Sequence, residues 1–318
     1  MIVYDVPTTT RFRGLTRRQG VLWQGSAGWA EWSPFPEYPP GEAATWLRAA
    51  REMADEGFPA PRRDRVPVNV TVPALDPAAA YERVRASGCT TAKVKVAEPG
   101  GRTADDVERV AAVRDALGAR GRLRIDANGA WDVATALAAL RSLAPYDLEY
   151  AEQPCATTEQ LAELRVALAR AGLDVPIAAD ESIRRTGDPE RVVALAAADI
   201  AVLKVQPLGG VRACLALAER LGLPVVVSSA LETSVGLRAG LALAAALPRL
   251  DFACGLNTAG LLAADVTRSP LVAVDGWLEV RDVAVDPPLL EAAAAGPATA
   301  EWWRSRLAEA SAIDAPAS

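Results

Sequence analysis

The 318-residue chain is 51% apolar, with a net charge of −6 and four cysteines. That length supports a large core without disulfides, and the acidic balance gives no electrostatic reason to expect nucleic acid or an anionic membrane as partner. There is no histidine, which excludes Ser-His-Asp and Cys-His nucleophilic machinery and the usual ligands of catalytic zinc, and leaves carboxylate, lysine, tyrosine or cysteine as general base.

The first residues (MIVYDVPTTTRFRG) lack a basic stretch followed by an apolar segment, so no secretory signal is expected. Short strand-like pieces at Ile2–Val6, Gly20–Gln24 and Gly28–Trp32 precede a helix from about Gly41 to Glu56. From residue 66 to about 255, β-branched runs alternate with alanine- and leucine-rich stretches. The expected strands are Val66–Val72, Thr90–Val96, Leu123–Asp126, Leu148–Glu152, Val175–Asp180, Ile200–Val205, Val225–Ser229 and Phe252–Gly255. The helices between them are Pro77–Ser87, Ala104–Leu117, Val133–Leu143, Thr158–Ala171, Pro189–Ala197, Val211–Leu221 and Ser234–Leu247. Eight strands separated by seven helices indicate an α/β fold, a (β/α) TIM-like barrel. An open doubly wound sheet would ask for a glycine-rich turn after the first strand, and Pro73-Ala74-Leu75-Asp76 is not one. Further strands at Leu271–Asp275 and Trp277–Val280 and a helix from about Thr299 to Ala310 follow; residues 313–318 are expected to fray. Residues 1–65 and 256–318 are read as one α+β capping domain built from both chain ends, and residues 66–255 as the barrel. No apolar run reaches the ~20 residues of a membrane span. The cysteines (Cys89, Cys155, Cys214, Cys254) are scattered singly, as suits small apolar fillers in a reducing cytoplasm. Asn69-Val70-Thr71 fits the glycosylation pattern but falls in an expected barrel strand.

Only Lys93, Lys95 and Lys204 are lysines among 34 basic residues. Arginine serves for solvation and ion pairing but cannot give up a proton at usable pH, so the remaining lysines stand where an ammonium–amine couple is needed. Barrel enzymes work at the C-terminal ends of their strands. Those ends carry Lys93 and Lys95 on the second strand, Asp126 and Asn128 on the third, Glu152 on the fourth, Asp180 and Glu181 on the fifth, Lys204 on the sixth and Ser228-Ser229 on the seventh. Lys93 and Lys95 are two apart and so share a face; mutual repulsion and burial are expected to lower a lysine pKa from about 10.4. Asp126, Glu152 and Asp180 would repel one another unless a cation sits between them, and an all-oxygen set suits Mg²⁺ or Mn²⁺. Helix caps and salt bridges to arginine are the plain alternative for the acids. Glu181, adjacent to Asp180, is expected to bond to a lysine. A divalent metal on a substrate carboxylate would stabilise an enediolate, and lysine would take the adjacent proton.

Together these residues resemble the enolase superfamily, in its muconate-lactonising subgroup. Within it the segments Gly28–Phe35 (GWAEWSPF), Asp126–Trp131 (DANGAW) and Ser228–Ser234 (SSALETS) resemble the o-succinylbenzoate synthases. The resemblance implies a carbon–oxygen lyase of menaquinone biosynthesis that dehydrates the small carboxylate 2-succinyl-6-hydroxy-2,4-cyclohexadiene-1-carboxylate to 2-succinylbenzoate. It implies Lys95 as base and then acid, Lys204 as a charged partner facing the ring, Lys93 as a further catalytic residue, and Asp126, Glu152 and Asp180 as metal ligands. Asn128, a candidate substrate-binding residue, either hydrogen-bonds near a metal-bound carboxylate or is a turn residue before Gly129. Ser229 either reaches the succinyl tail or ends a strand. The stretch Arg11–Gly20, including Arg17, is either a lid that suits a dianionic substrate or a solvated charged loop. Other readings are an N-acylamino-acid racemase or dipeptide epimerase on the same fold, a Schiff-base aldolase using Lys204, and a non-catalytic binding barrel.

Overall fold

The computed structural model describes residues 1–12, 14–185 and 188–314, with Phe12 described by its backbone alone. Arg13 and residues 315–318, which figure in the expectations above, lie outside the described residues.

Near the N-terminus, β1 (Ile2–Phe12), β2 (Leu15–Gln24) and β3 (Trp29–Trp32) form an antiparallel sheet. Most of Arg11–Gly20 therefore belongs to the β1–β2 hairpin. Helix α1 (Pro40–Arg51) runs on into a widened π-turn at Glu52–Glu56 and stops at Gly57, whose φ of 69° suits glycine.

The barrel follows as β4 (Arg65–Val72), α2 (Pro77–Ser87), β5 (Thr91–Lys95), α3 (Thr103–Leu117), β6 (Arg122–Asp126), α4 (Val133–Leu143), β7 (Leu148–Glu152), α5 (Thr158–Arg170), β8 (Ile177–Ala179), α6 (Glu181–Arg184), α7 (Glu190–Ala194), β9 (Ile200–Leu203), α8 (Val211–Leu221), β10 (Val225–Val227), α9 (Ser234–Ala246) and β11 (Cys254–Asn257). Local chemistry sets several helix starts. Asp76 and Asp132 accept from the third amide of α2 and α4, and Thr157 with Gln160 forms a capping box on α5. The parallel pairing runs from β4 through β10, β11 pairs with β4, and a parallel bridge from Ser228 to Gly255 joins the two ends of the path. The eight strands thus form a nearly closed barrel. A Cβ on Gly255 would lie 2.5 Å from Ser228 Oγ, so the seam requires glycine there. Valine, isoleucine, leucine and alanine of the strands fill the buried core.

β12 (Trp277–Glu279) pairs antiparallel with β4 and so extends the barrel sheet, not the N-terminal one. The strand expected at Leu271–Asp275 is absent; only Val274 forms a bridge, to Trp277. Its amides are used elsewhere: Leu271 donates to Ser234 Oγ and Ala273 to Asn257 Oδ1, which leaves no ladder. Helix α10 (Pro287–Ala292) precedes α11 (Pro297–Asp314), which packs on α1 and β1. Contrary to the expected fraying, Ile313 and Asp314 are helical, and Asp314 pairs with Arg48 and Arg51. Trp303 is buried edge-on against Trp32. Among the described residues no helix is long and apolar enough to cross a membrane.

The N-terminal unit docks on the barrel through two buried acids. Glu31 accepts from the amides of Thr233 and Gly236 at the start of α9. Glu52 accepts from the amides of Val211 (2.5 Å) and Arg212 (3.1 Å) at the start of α8. Each supplies a carboxylate where a helix exposes unpaired N–H groups and the positive end of its dipole. Glu52→Ala should lower stability by about 1–3 kcal/mol. A urea midpoint equal to that of the native protein would show that this helix end does not depend on Glu52.

Candidate active site

In a ring of eight strands β5 and β9 lie four places apart. Lys95, at the end of β5, and Lys204, just past β9, therefore face each other across the barrel mouth. Asp126 ends β6, Glu152 ends β7 and Asp180 follows β8, so the acids occupy the arc between the two lysines. One cavity at this mouth is lined by Lys93, Lys95, Lys204, Asp126, Asn128 and Ser229, with Phe35 and Leu231 as apolar walls.

Every charge in the array is buried and partnered. Lys93 Nζ lies 2.8 Å from both Glu152 oxygens and 3.4 Å from Asp126 Oδ2. Lys95 Nζ donates to Asp126 Oδ2 at 2.5 Å and to Asn128 Oδ1 at 2.7 Å. Lys204 Nζ donates to Asp180 Oδ2 at 2.6 Å. Arg184 Nε donates to Asp180 Oδ1 at 2.9 Å. The face shared by Lys93 and Lys95 does line the barrel, but the expected lowering of the Lys93 pKa is overturned. Burial works against its charge, yet the Glu152 and Asp126 carboxylates outweigh burial and hold it above the usual lysine value. Burial also opposes ionisation of Asp126 and Asp180, but Lys95 and Lys93 in one case, and Arg184 and Lys204 in the other, keep both below the ordinary carboxylate range. Glu152 goes the other way. Burial, then repulsion from Asp126, pushes it up to about 7 even with Lys93 on both its oxygens. The two partners shift in the same direction because Lys93 has two acids beside it, whereas Glu152 has two further acids to repel it.

Among the described residues no three acid, cysteine or histidine side chains are gathered so as to hold a metal ion, since the lysines and Arg184 occupy the carboxylate oxygens. The donors nevertheless fit a hard divalent cation. Asp126, Glu152 and Asp180 offer only carboxylate oxygens, from adjacent strands, and flexible lysine stems hold several of them. The crowding that raises Glu152 is what a cation would relieve.

Asn128 lies at the array, with its backbone amide donating to Asp126 Oδ1 at 3.0 Å. Its φ of 48° makes it a turn residue, and its side chain fixes the Lys95 ammonium. Ser229 lines the cavity and shares a 2.8 Å hydrogen bond with Thr258, which also lines it. Arg17 is not brought to the site. Its side chain is about half exposed and pairs with Asp5 across the β1–β2 hairpin, at 2.6 Å. Glu181 bonds to Arg184 and not to a lysine, and its Oε2 is buried without a partner. Sequence reading missed Arg184, whose position four residues after Asp180 was the available signal. It also missed Thr258, and it held Arg18, Phe35 and Thr71 only within longer stretches, the charged Arg11–Gly20 segment, the GWAEWSPF segment and the Asn69-Val70-Thr71 pattern, without a role of their own at the cavity.

Behind Ala230 and Leu231, Glu232 Oε2 accepts from the Ala230 amide. Burial, and next the nearby Glu31 carboxylate, pushes Glu232 up to about 7, partly offset by Arg18. A raised carboxyl pKa contributes stability that is full below its unfolded value near ~4.3 and is lost as pH rises through the folded value. Glu232→Gln cannot ionise, so relative to the native protein it should gain about 1–3 kcal/mol between pH 5 and pH 8. Parallel denaturation curves at both pH values check this; a constant difference would contradict it.

The family model described as "Enolase C-terminal domain-like" matches residues 76–284, and "Enolase N-terminal domain-like" matches residues 3–54. A protein of Thermobifida fusca named o-succinylbenzoate synthase is 60% identical over 307 residues, covering 96% of this chain and 94% of the relative. Another of that name, from Mycobacterium tuberculosis, is 52% identical, covering 96% and 92%. Among solved structures, a muconate lactonizing enzyme from Pseudomonas putida superposes with a TM-score of 0.78 at 22% identity, covering 92% of this chain and 98% of its own. An N-succinyl Arg/Lys racemase from Bacillus cereus gives 0.75 at 18%, covering 93% and 96%. At these identities the two structures speak for the fold alone.

Proposed function

The chain belongs to the enolase superfamily and, with the relatives above, to its o-succinylbenzoate synthases, and we propose that it eliminates water from 2-succinyl-6-hydroxy-2,4-cyclohexadiene-1-carboxylate to give 2-succinylbenzoate. The observation that carries this reading is the pair Lys95 and Lys204, opposed across one cavity that Asp126 also lines. Racemases of the superfamily need the same opposed pair. The high identity to relatives named synthases favours dehydration over racemisation.

Asp126, Glu152 and Asp180 would hold the metal, Mg²⁺ or Mn²⁺. Bound there, a divalent cation supplies Lewis-acid stabilisation for the second negative charge that develops on the substrate carboxylate. Lys95 Nζ takes the proton from the ring carbon that bears the carboxylate. Asn128 and Asp126 hold that nitrogen in place. The same Nζ then returns the proton to the departing hydroxyl on the adjacent carbon, so that hydrogen and hydroxyl leave one face together as water. Lys204 keeps its charge on the opposite side, where an ammonium over the ring face stabilises the anion. Lys93, fixed between Glu152 and Asp126, keeps the acids aligned. The product is aromatic, so the elimination runs downhill and asks little beyond a placed base and a charge sink.

The four cysteines are free and buried, which suits a reducing cytoplasm. The expected partner is a small dicarboxylate, and the expected setting is menaquinone biosynthesis. A UV assay for the aromatic product should show turnover with Mg²⁺ and loss of it with EDTA. Lys95→Ala and Lys204→Ala should each cost about 10³-fold or more in kcat with unchanged circular dichroism. An active Lys95→Ala protein would refute the assigned base, and a native protein inert with Mg²⁺ would refute the reaction.

A further inference from the structure

Arg18, on β2, is 1% exposed yet touches none of the lysines or acids of the array. Its Nε donates to Leu231 O at 2.8 Å and its Nη2 to Ala230 O at 3.3 Å; Nη2 also reaches Ser33 O, and Nη1 reaches Gln19 O at 3.2 Å. The guanidinium lies 4.8 Å from the centre of the Phe35 ring. Phe35, Ala230 and Leu231 are all walls of the catalytic cavity. One side chain of the N-terminal unit thus joins a wall from its own unit to two from the barrel.

The backbone at this wall needs holding. Leu231 has φ = +64°, a left-handed conformation that a branched apolar residue adopts only when its surroundings impose it. Its carbonyl receives the Arg18 Nε–H, while its amide makes only a 3.5 Å contact with Ser229 Oγ. The planar guanidinium presents several donors in a fixed fork and a flat face for stacking, which an ammonium cannot do. Backbone carbonyls of Leu231, Ala230 and Gln19 satisfy its donors, and Glu31 and Glu232 are buried nearby.

We propose that Arg18 is a positioning residue for substrate binding: it clamps the Ala230–Leu231 turn and the Phe35 ring into the shape that grips the substrate. It has no part in proton transfer, so its loss should weaken binding and spare the chemical step.

This inference rests on the reaction proposed above, so kinetics are measured beside the native enzyme. Arg18→Met should raise KM about 10- to 100-fold while kcat stays within about threefold. Arg18→Lys, which can serve one carbonyl but not the whole set, should fall between. Should Arg18→Met fail to fold, the lysine variant alone decides. A folded variant with native KM, or with reduced kcat at native KM, overturns the proposal. If the native protein does not turn over, the functional reading fails but the clamp is still tested by the crystal structure of Arg18→Lys. A displaced 229–232 turn supports it; a turn superposing on that of the native protein overturns it.

Discussion

Charge taken out of water has to be answered locally, and the mouth of this barrel is built around that demand. Lys93, Lys95, Lys204, Asp126, Glu152, Asp180 and Arg184 are all buried, and each lies against a group of opposite sign. A buried ion pair contributes little net stability, but removing one partner costs roughly 3–5 kcal/mol because the other is left uncompensated. The array is therefore a strict alignment device. The ends of β5 to β9 must stay in register, since a slip of one residue would turn each charge toward the helices. The same closeness suits the chemistry, because acids and ammoniums already crowded together answer readily to an added cation or anion.

Much of this was legible in the sequence because the demand is severe. Lysine occurs nowhere else in the chain, and the acids recur once per strand–helix unit, so the pattern stands out. The barrel helices were readable as alanine- and leucine-rich stretches between β-branched runs, with polar or glycine boundaries such as Thr103, Gly172 and Gly222. What was not legible depended on tertiary partners. Leu271–Asp275 has strand composition, but its amides are taken by Ser234 and Asn257, which are remote in the chain. Arg17 and Arg18 are adjacent in sequence, yet strand alternation sends one to Asp5 at the surface and the other into the core. Nothing in a chain rich in arginine distinguishes them. The direction of the Lys93 shift was not legible either, because it is set by Glu152 and Asp126 across the strand gaps and not by the neighbouring lysine.

The contact between the two units follows the same rule by other means. Glu31 is answered by the hydroxyls of Tyr4, Ser33 and Thr233 and by helix amides, and Glu52 by helix amides and the Arg212 guanidinium, with no lysine at either. Gln206 and Ser33 add a neutral pair across the seam, and the Tyr38 hydroxyl meets Arg184, which holds Asp180. The N-terminal unit thus reaches the acid array through one intervening side chain, and the barrel-mouth turn through Arg18.

An interface pinned by carboxylates on backbone amides has a consequence for descent. The amides are present whatever side chains the barrel helices carry, but the Thr233 hydroxyl, the Arg212 guanidinium and the bare Cα of Gly236 complete the receiving half of the latches. The burden falls on two glutamates of the smaller unit, and on the glycine at 210 that leaves room for one of them. A change of substrate within such a lineage would then have to come through the few side chains that this unit turns toward the cavity, Phe35 among them, while its two halves remain seated on each other.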